Sequence, residues 1–131
     1  MVNLKNKGKK AIKVSAGTTS TYTLTLQPKS NGDPQSYTLF FDYVGQNAQS
    51  WGTAEVDMGG NSITLGSVSG RKKIELEVSS TSNVSIILTA NSSQDTFFDN
   101  FKLYKTDELP IEKSKALSNF LLLNSPNYSI I

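Results

Sequence analysis

The chain contains no cysteine and no histidine. That removes the thiol nucleophile, the Ser-His and Cys-His pairs, the imidazole base and the usual zinc and haem ligands. It also leaves the redox compartment open, because a fold without cysteine is stable on either side of a membrane. Arginine occurs once, at Arg71, and no basic stripe interleaved with aromatics follows the lysine-rich start, so a nucleic-acid interface is not indicated. Charged residues make up 18% of the chain, below the usual quarter or so. Serine, threonine and asparagine take their place, giving a neutral polar surface. No apolar run approaches the roughly 18 residues of a membrane span. Met1-Val2-Asn3 carries no signal-peptide pattern and is read as the start of an internal module.

What remains is enough for one domain. The 131 residues are 37% hydrophobic and 9% aromatic, with a formal net charge of +2. A chain of this length hides roughly two-thirds of its unfolded surface. Lys5, Lys7, Lys9, Lys10 and Lys13 crowd the opening region and read as a solvated, pairing-resistant edge. Two-residue alternation then dominates. Ser20 to Gln27 sets Tyr22, Leu24 and Leu26 inward and threonines outward, and Ser36 to Val44 sets Tyr37, Leu39, Phe41 and Tyr43 against Thr38, Phe40, Asp42 and Val44. Further strands are expected at 11–14, at 51–58 with Trp51, Thr53, Glu55 and Asp57 outward, at 62–65, at 73–78 and at 83–90. The closing strand is Thr96 to Lys105, where Phe101 and Leu103 alternate with Lys102 and Tyr104 and the polar pair Asp99-Asn100 interrupts the aromatics. An acidic residue in that position needs a hydrogen-bonding or coordinating partner.

About eight strands divided by regular turn signals predict an all-β, antiparallel sandwich of the jelly-roll kind, with an immunoglobulin-like sandwich as the alternative. The texture changes after Lys105. The expected division is a sandwich over 1–105 and a C-terminal helical segment or linker over 106–131. Thr106 or Asp107 would cap a helix starting near Pro110, with Ile111, Leu117, Phe120 and Leu121 as its apolar stripe.

Four pieces in this order resemble the galactose-binding-like jelly rolls, a superfamily containing many carbohydrate-binding modules. They are Gly8 to Val14, Ser36-Tyr37-Thr38-Leu39-Phe40-Phe41, Lys73-Ile74-Glu75-Leu76 and Phe98-Asp99-Asn100-Phe101-Lys102-Leu103. The resemblance implies sugar binding on a sheet face or at edge loops, and a structural calcium held in part by Asp99. It implies glycan or polysaccharide partners, other domains in a larger parent protein, and a secreted, cell-surface or virion-associated setting. The family's usual extra opening strand with a metal-holding acidic residue has no counterpart before Lys9. Carried onto this sequence, the binding surface corresponds to outward positions of 37–44 and 51–58: Phe40, Asp42, Trp51 and Glu55.

The chemistry of the residues points the same way. A pyranose has one CH-rich face and a rim of hydroxyls, so its receptor needs a flat ring beside planar hydrogen-bonding groups. Trp51, the single tryptophan, supplies the ring; Asp42, Glu55, Gln46 and Asn47 supply polar groups. Such shallow sites bind in roughly the micromolar to millimolar range. The alternative is an assembly module of an adhesin, phage tail protein or multidomain hydrolase that binds no sugar. An exposed Trp51 favours the first reading and a packed one the second. Catalysis by Asp42 with Glu55, or Glu55 with Asp57, would require carboxylates about 5–9.5 Å apart across a cleft. A sandwich of this size rarely encloses one. The Asn-x-Ser sequons at Asn83, Asn91 and Asn127 are expected by chance in so Ser- and Asn-rich a chain.

Overall fold

The computed structural model describes residues 11–108, and the C-terminal helix expected near Pro110 lies outside them. Eight strands run in the order β1 (Ile12–Val14), β2 (Thr19–Leu26), β3 (Gln35–Val44), β4 (Ala54–Met58), β5 (Asn61–Leu65), β6 (Ser69–Val78), β7 (Ser82–Thr89) and β8 (Thr96–Lys105). One sheet has the order β1-β8-β3-β6 and the other β2-β7-β4-β5, with antiparallel neighbours throughout. This is the jelly-roll order, and it agrees with the first expectation. Short 3-10 turns precede β4 at Ala48–Ser50 and follow β8 at Thr106–Glu108.

The core forms where inward positions of the two sheets meet. Phe41 lies at its centre, with its ring 5.9 Å from Phe101 and 6.4 Å from Phe98. Val56, Met58, Ile86 and Leu88 face these rings from the opposite sheet, all fully buried. The alternation read from β2, β3, β6 and β7 holds residue by residue. Gly59 and Gly60 join β4 to β5, both with positive φ, as a two-residue hairpin turn whose twist matches the strands requires.

In β8 simple alternation fails. Phe98 and Phe101 are three residues apart, yet both are buried. A period of two cannot bring both to one face unless one extra residue is accommodated. That residue belongs to a β-bulge: Phe40 pairs with Lys102 and Asp42 with Asp99, so two steps on β3 face three on β8. Asn100 takes the strain with a φ of 54°, the one positive φ outside glycine among the described residues. Asparagine tolerates this left-handed conformation better than most residues.

One end of the sandwich is closed by side chains. Gln94, almost wholly buried, accepts the backbone N–H groups of Gln46 and Asn47 through Oε1 (2.6 Å each) and donates Nε2 to the Asn47 carbonyl (2.9 Å). Buried Asn91 donates Nδ2 to the Thr53 carbonyl at 3.3 Å. Trp51 wedges beneath this cover. Its ring stacks on Tyr43 at 6.3 Å, its Nε1 donates to the Leu65 carbonyl at 3.1 Å, and a Cβ placed on Gly45 would lie 2.4 Å from the indole. Glycine is needed at 45 so that the ring can approach the backbone.

Two stability measurements test this account. Replacing Asn100 by Gly or by Ala removes the same side-chain hydrogen bonds, so their difference isolates the left-handed backbone; Asn100→Ala unfolds in urea with about 1 kcal/mol less stability than Asn100→Gly. Equal stabilities would refute the bulge strain. Trp51→Ala loses about 2–3 kcal/mol through an unfilled wedge, whereas a displayed ring would leave the melting temperature nearly unchanged.

Candidate functional site

The outward face of the β1-β8-β3-β6 sheet carries a mixed cluster of aromatic, carboxylate and amide groups. Phe40 and Asp42 project from β3, Arg71 from β6, and Phe97, Asp99, Lys102 and Tyr104 from β8, with Asn100 at the bulge. Towards one end this face is closed. Tyr104 is 2% exposed and packs edge-on to Phe40 at 6.1 Å, and Thr38 is fully buried, its hydroxyl 2.7 Å from that of Thr106.

Towards the other end it opens. Among the described residues, a cavity of about 220 Å³ is lined by Ala11, Asp42, Tyr43, Val44, Phe97, Asp99 and Asn100. Val44 is 45% exposed and sits opposite half-buried Phe97 in the β3–β8 ladder. Together they make a small apolar platform beside polar groups.

Asp42 organises those groups. Arg71 grips its carboxylate in a bidentate arrangement, Nε to Oδ1 at 2.7 Å and Nη2 to Oδ2 at 3.1 Å. Asn100 donates Nδ2 to Oδ2 at 2.6 Å. Partial burial pushes the Asp42 carboxyl up, but the hydrogen bonds from Arg71 and Asn100 and the charges of Arg71 and Lys102 outweigh it, leaving the group below the usual carboxylate range. The register explains why Arg71 is needed. Asp42 lies opposite Asp99 on one side and Arg71 on the other, so the guanidinium offsets a like-charge cross-strand pair. The Asp99 carboxylate is turned onto its own chain, where Oδ1 accepts the Asn100 N–H at 2.8 Å.

The sequence-based candidates separate into three places. Phe40 and Asp42 share the face just described. Glu55 does not: β4 belongs to the other sheet, so its outward side chain points to the opposite side of the sandwich. The surface expected from β3 and β4 together therefore does not form. Gln46 and Asn47 lie on the exposed end loop, where Gln94 engages their backbone and the Asn47 side chain caps the 3-10 turn through Gln49 N at 2.9 Å. Trp51 departs from its expected position. Strand β4 begins at Ala54 rather than at 51, so the alternation does not extend back to the tryptophan, whose half-buried ring packs on the core. Phe97, Val44, Arg71 and Asn100 were not singled out as ligand contacts from sequence. The available signal was the adjacent pair Phe97-Phe98, in which one ring must face outward.

Asp99, the expected calcium ligand, stands across the ladder from Asp42. Both oxygens of its neighbour Asp42 are engaged by nitrogen donors, and no third acidic side chain joins the pair among the described residues.

No protein-family model matches the chain, and no curated protein matches it. Solved structures do. One described as "Family 16 Carbohydrate Binding Module-2" superposes with a TM-score of 0.53 and 16% identity over 75% of this chain and 78% of its own. Another, described as TmCBM61 in complex with beta-1,4-galactotriose, has a TM-score of 0.45 and 13% identity over 76% and 73%. Strand order and the first of these similarities together give this chain an antiparallel jelly-roll β-sandwich fold, shared with the first of those structures.

Proposed function

We propose that the chain is a non-catalytic glycan-binding module whose contact surface is the open end of the outward β8-β3 face. The observation that carries this reading is the cavity where Phe97 and Val44 adjoin Asp42, Asp99 and Asn100. The ring and the valine suit the CH-rich side of a pyranose, and the carboxylates and amide suit its hydroxyls. The Asp42 carboxylate is held in place before a ligand arrives, which lowers the ordering cost of binding. The presence of this fold in carbohydrate-binding modules supports the same reading. Trp51 is not part of the proposed surface: its packed ring, taken alone, favours an assembly module that binds no sugar, and the glycan reading rests instead on the Phe97–Val44 cavity, with Phe40 flanking it from the closed end.

A catalytic role is not favoured. Asp42 and Glu55 point to opposite sides of the sandwich and cannot flank one bond. Asp42 does lie across from Asp99, but a glycosidase acid needs a raised pKa, whereas Arg71 and Asn100 hold Asp42 ionised. In this reading the module belongs to a larger secreted, cell-surface or virion-associated protein and brings it to a polysaccharide. Among the described residues no helix is long and apolar enough to cross a membrane.

Calorimetric titration against a panel of soluble polysaccharides tests the proposal. A ligand is expected in roughly the micromolar to millimolar range, with Phe97→Ala weakening it about tenfold or more and Glu55→Gln leaving it unchanged. Loss of binding in Glu55→Gln but not in Phe97→Ala would move the site to the other sheet. No binding across the panel would refute the reading. The acid limb supplies a second test. A carboxyl lowered on folding adds stability above its unfolded value and loses it as pH falls through the folded value, so the Asp42 contribution disappears below about pH 4. The Arg71 side chain is 65% exposed, which limits that contribution to about 1 kcal/mol or less. Asp42→Asn flattens this part of the stability–pH curve and leaves its shape above about pH 5 unaltered; an acid limb identical to the wild type would contradict the assignment.

A further inference from the structure

Among the described residues the two sheets have four edge strands, and three are blunted against pairing with another chain. Strand β1 has three residues and includes Lys13, β5 has five residues, and β6 presents Arg71, Lys72, Lys73, Glu75 and Glu77. Short length and charge are the usual protections of an exposed edge. Strand β2 has neither. Its eight residues, Thr-Ser-Thr-Tyr-Thr-Leu-Thr-Leu, contain no charge, no proline and no glycine, and consist largely of β-branched and aromatic types. On one side it pairs with β7 along its whole length, without a register shift. Its other side has no neighbouring strand among the described residues.

We infer that this edge is an interaction surface for a second copy of the same chain, pairing β2 antiparallel to β2 across a two-fold axis. Its composition selects that occupant. Thr19, Thr21, Thr23 and Thr25 are outward and exposed, while Tyr22, Leu24 and Leu26 are inward. In any antiparallel register where paired residue numbers sum to an even value, outward residues meet outward residues and inward meet inward. Thr21 then meets Thr23, or Thr23 meets its own copy, and Tyr22 meets Tyr22 or Leu24. Threonine–threonine and aromatic–aliphatic cross-strand pairs are favourable, and the strand carries no like charges to oppose the match. Tyr22, half-buried at the rim of the core, would be covered. A charged partner segment would find no complementary charge on this strand. The outcome is a continuous eight-stranded sheet, with the proposed glycan faces on the two other sheets left uncovered, so this inference stands or falls independently of sugar binding.

Sedimentation equilibrium on the intact chain, with no glycan present, tests it. One strand pair is a small interface, so dimers are expected with a dissociation constant on the order of 100 μM. Thr23→Lys sets like charges near the axis on a solvated face and should weaken the dimer about tenfold or more while leaving the circular dichroism spectrum and melting temperature intact. Amide exchange supplies the second readout. Backbone N–H groups of β2 gain protection with rising concentration, and those of β6 do not. A chain that stays monomeric to about 1 mM, or a dimer that Thr23→Lys leaves intact, or protection gained elsewhere instead, overturns the proposal.

Discussion

Phe98 and Phe101 must both enter the core although three positions separate them, and the centre of the structure follows from that demand. Burying two large rings stabilises the fold by several kcal/mol, roughly 2–3 kcal/mol for each. Holding one asparagine at positive φ costs about 1–2 kcal/mol, so the rings prevail and the strand bulges. The bulge has consequences beyond packing. It sets Asp99 across from Asp42 and brings the Asn100 amide onto the Asp42 carboxylate. The polar groups of the candidate site are thus a by-product of how two phenylalanines reach the interior.

A second constraint acts at the end of the sandwich. Loops that cover a core leave backbone groups without ladder partners, and buried groups of that kind must be satisfied. Gln94 and Asn91 do this work from one short connection, reaching the 45–50 loop and the approach to β4 respectively. No buried side-chain nitrogen or oxygen among the described residues lacks a partner. The cap leaves room for the indole beneath it only because position 45 has no side chain. The ring stacks on Tyr43 and donates to the Leu65 carbonyl, which ties it to the core.

The two layers also distribute charge unequally. The β1-β8-β3-β6 sheet places Asp42, Arg71, Lys73, Asp99 and Lys102 on its outward side, whereas the outward side of β2 and β7 is almost wholly neutral, with hydroxyls, amides and one isoleucine. A fixed carboxylate with its guanidinium offers directional hydrogen bonding to one ligand. A flat neutral strand edge offers repetitive backbone pairing. The two surfaces suit different partners and lie on different sheets, so neither occupies the other's space.

Much of this was legible from residue order. Period two in Thr19–Leu26, Gln35–Val44 and Ser82–Thr89 follows from the pleat, and inward and outward residues could be assigned before any coordinates. The number of strands, the sandwich and the limits of the closing strand were equally accessible, and the interrupted pair Asp99-Asn100 marked where something unusual would happen. Alternation, however, is a local rule: it assigns faces within one strand and is silent about which sheet the strand joins. Phe40, Asp42 and Glu55 therefore looked like neighbours, until pairing put β3 and β4 into opposite layers. Trp51 lies three residues before its strand begins, where the period has no hold and a long-range contact with Tyr43 and Gly45 decides the outcome. Pattern along the chain determined the elements and their inner faces, because side-chain direction in a strand depends on the residue's own backbone; which groups converge was decided by hydrogen bonding between segments far apart in sequence.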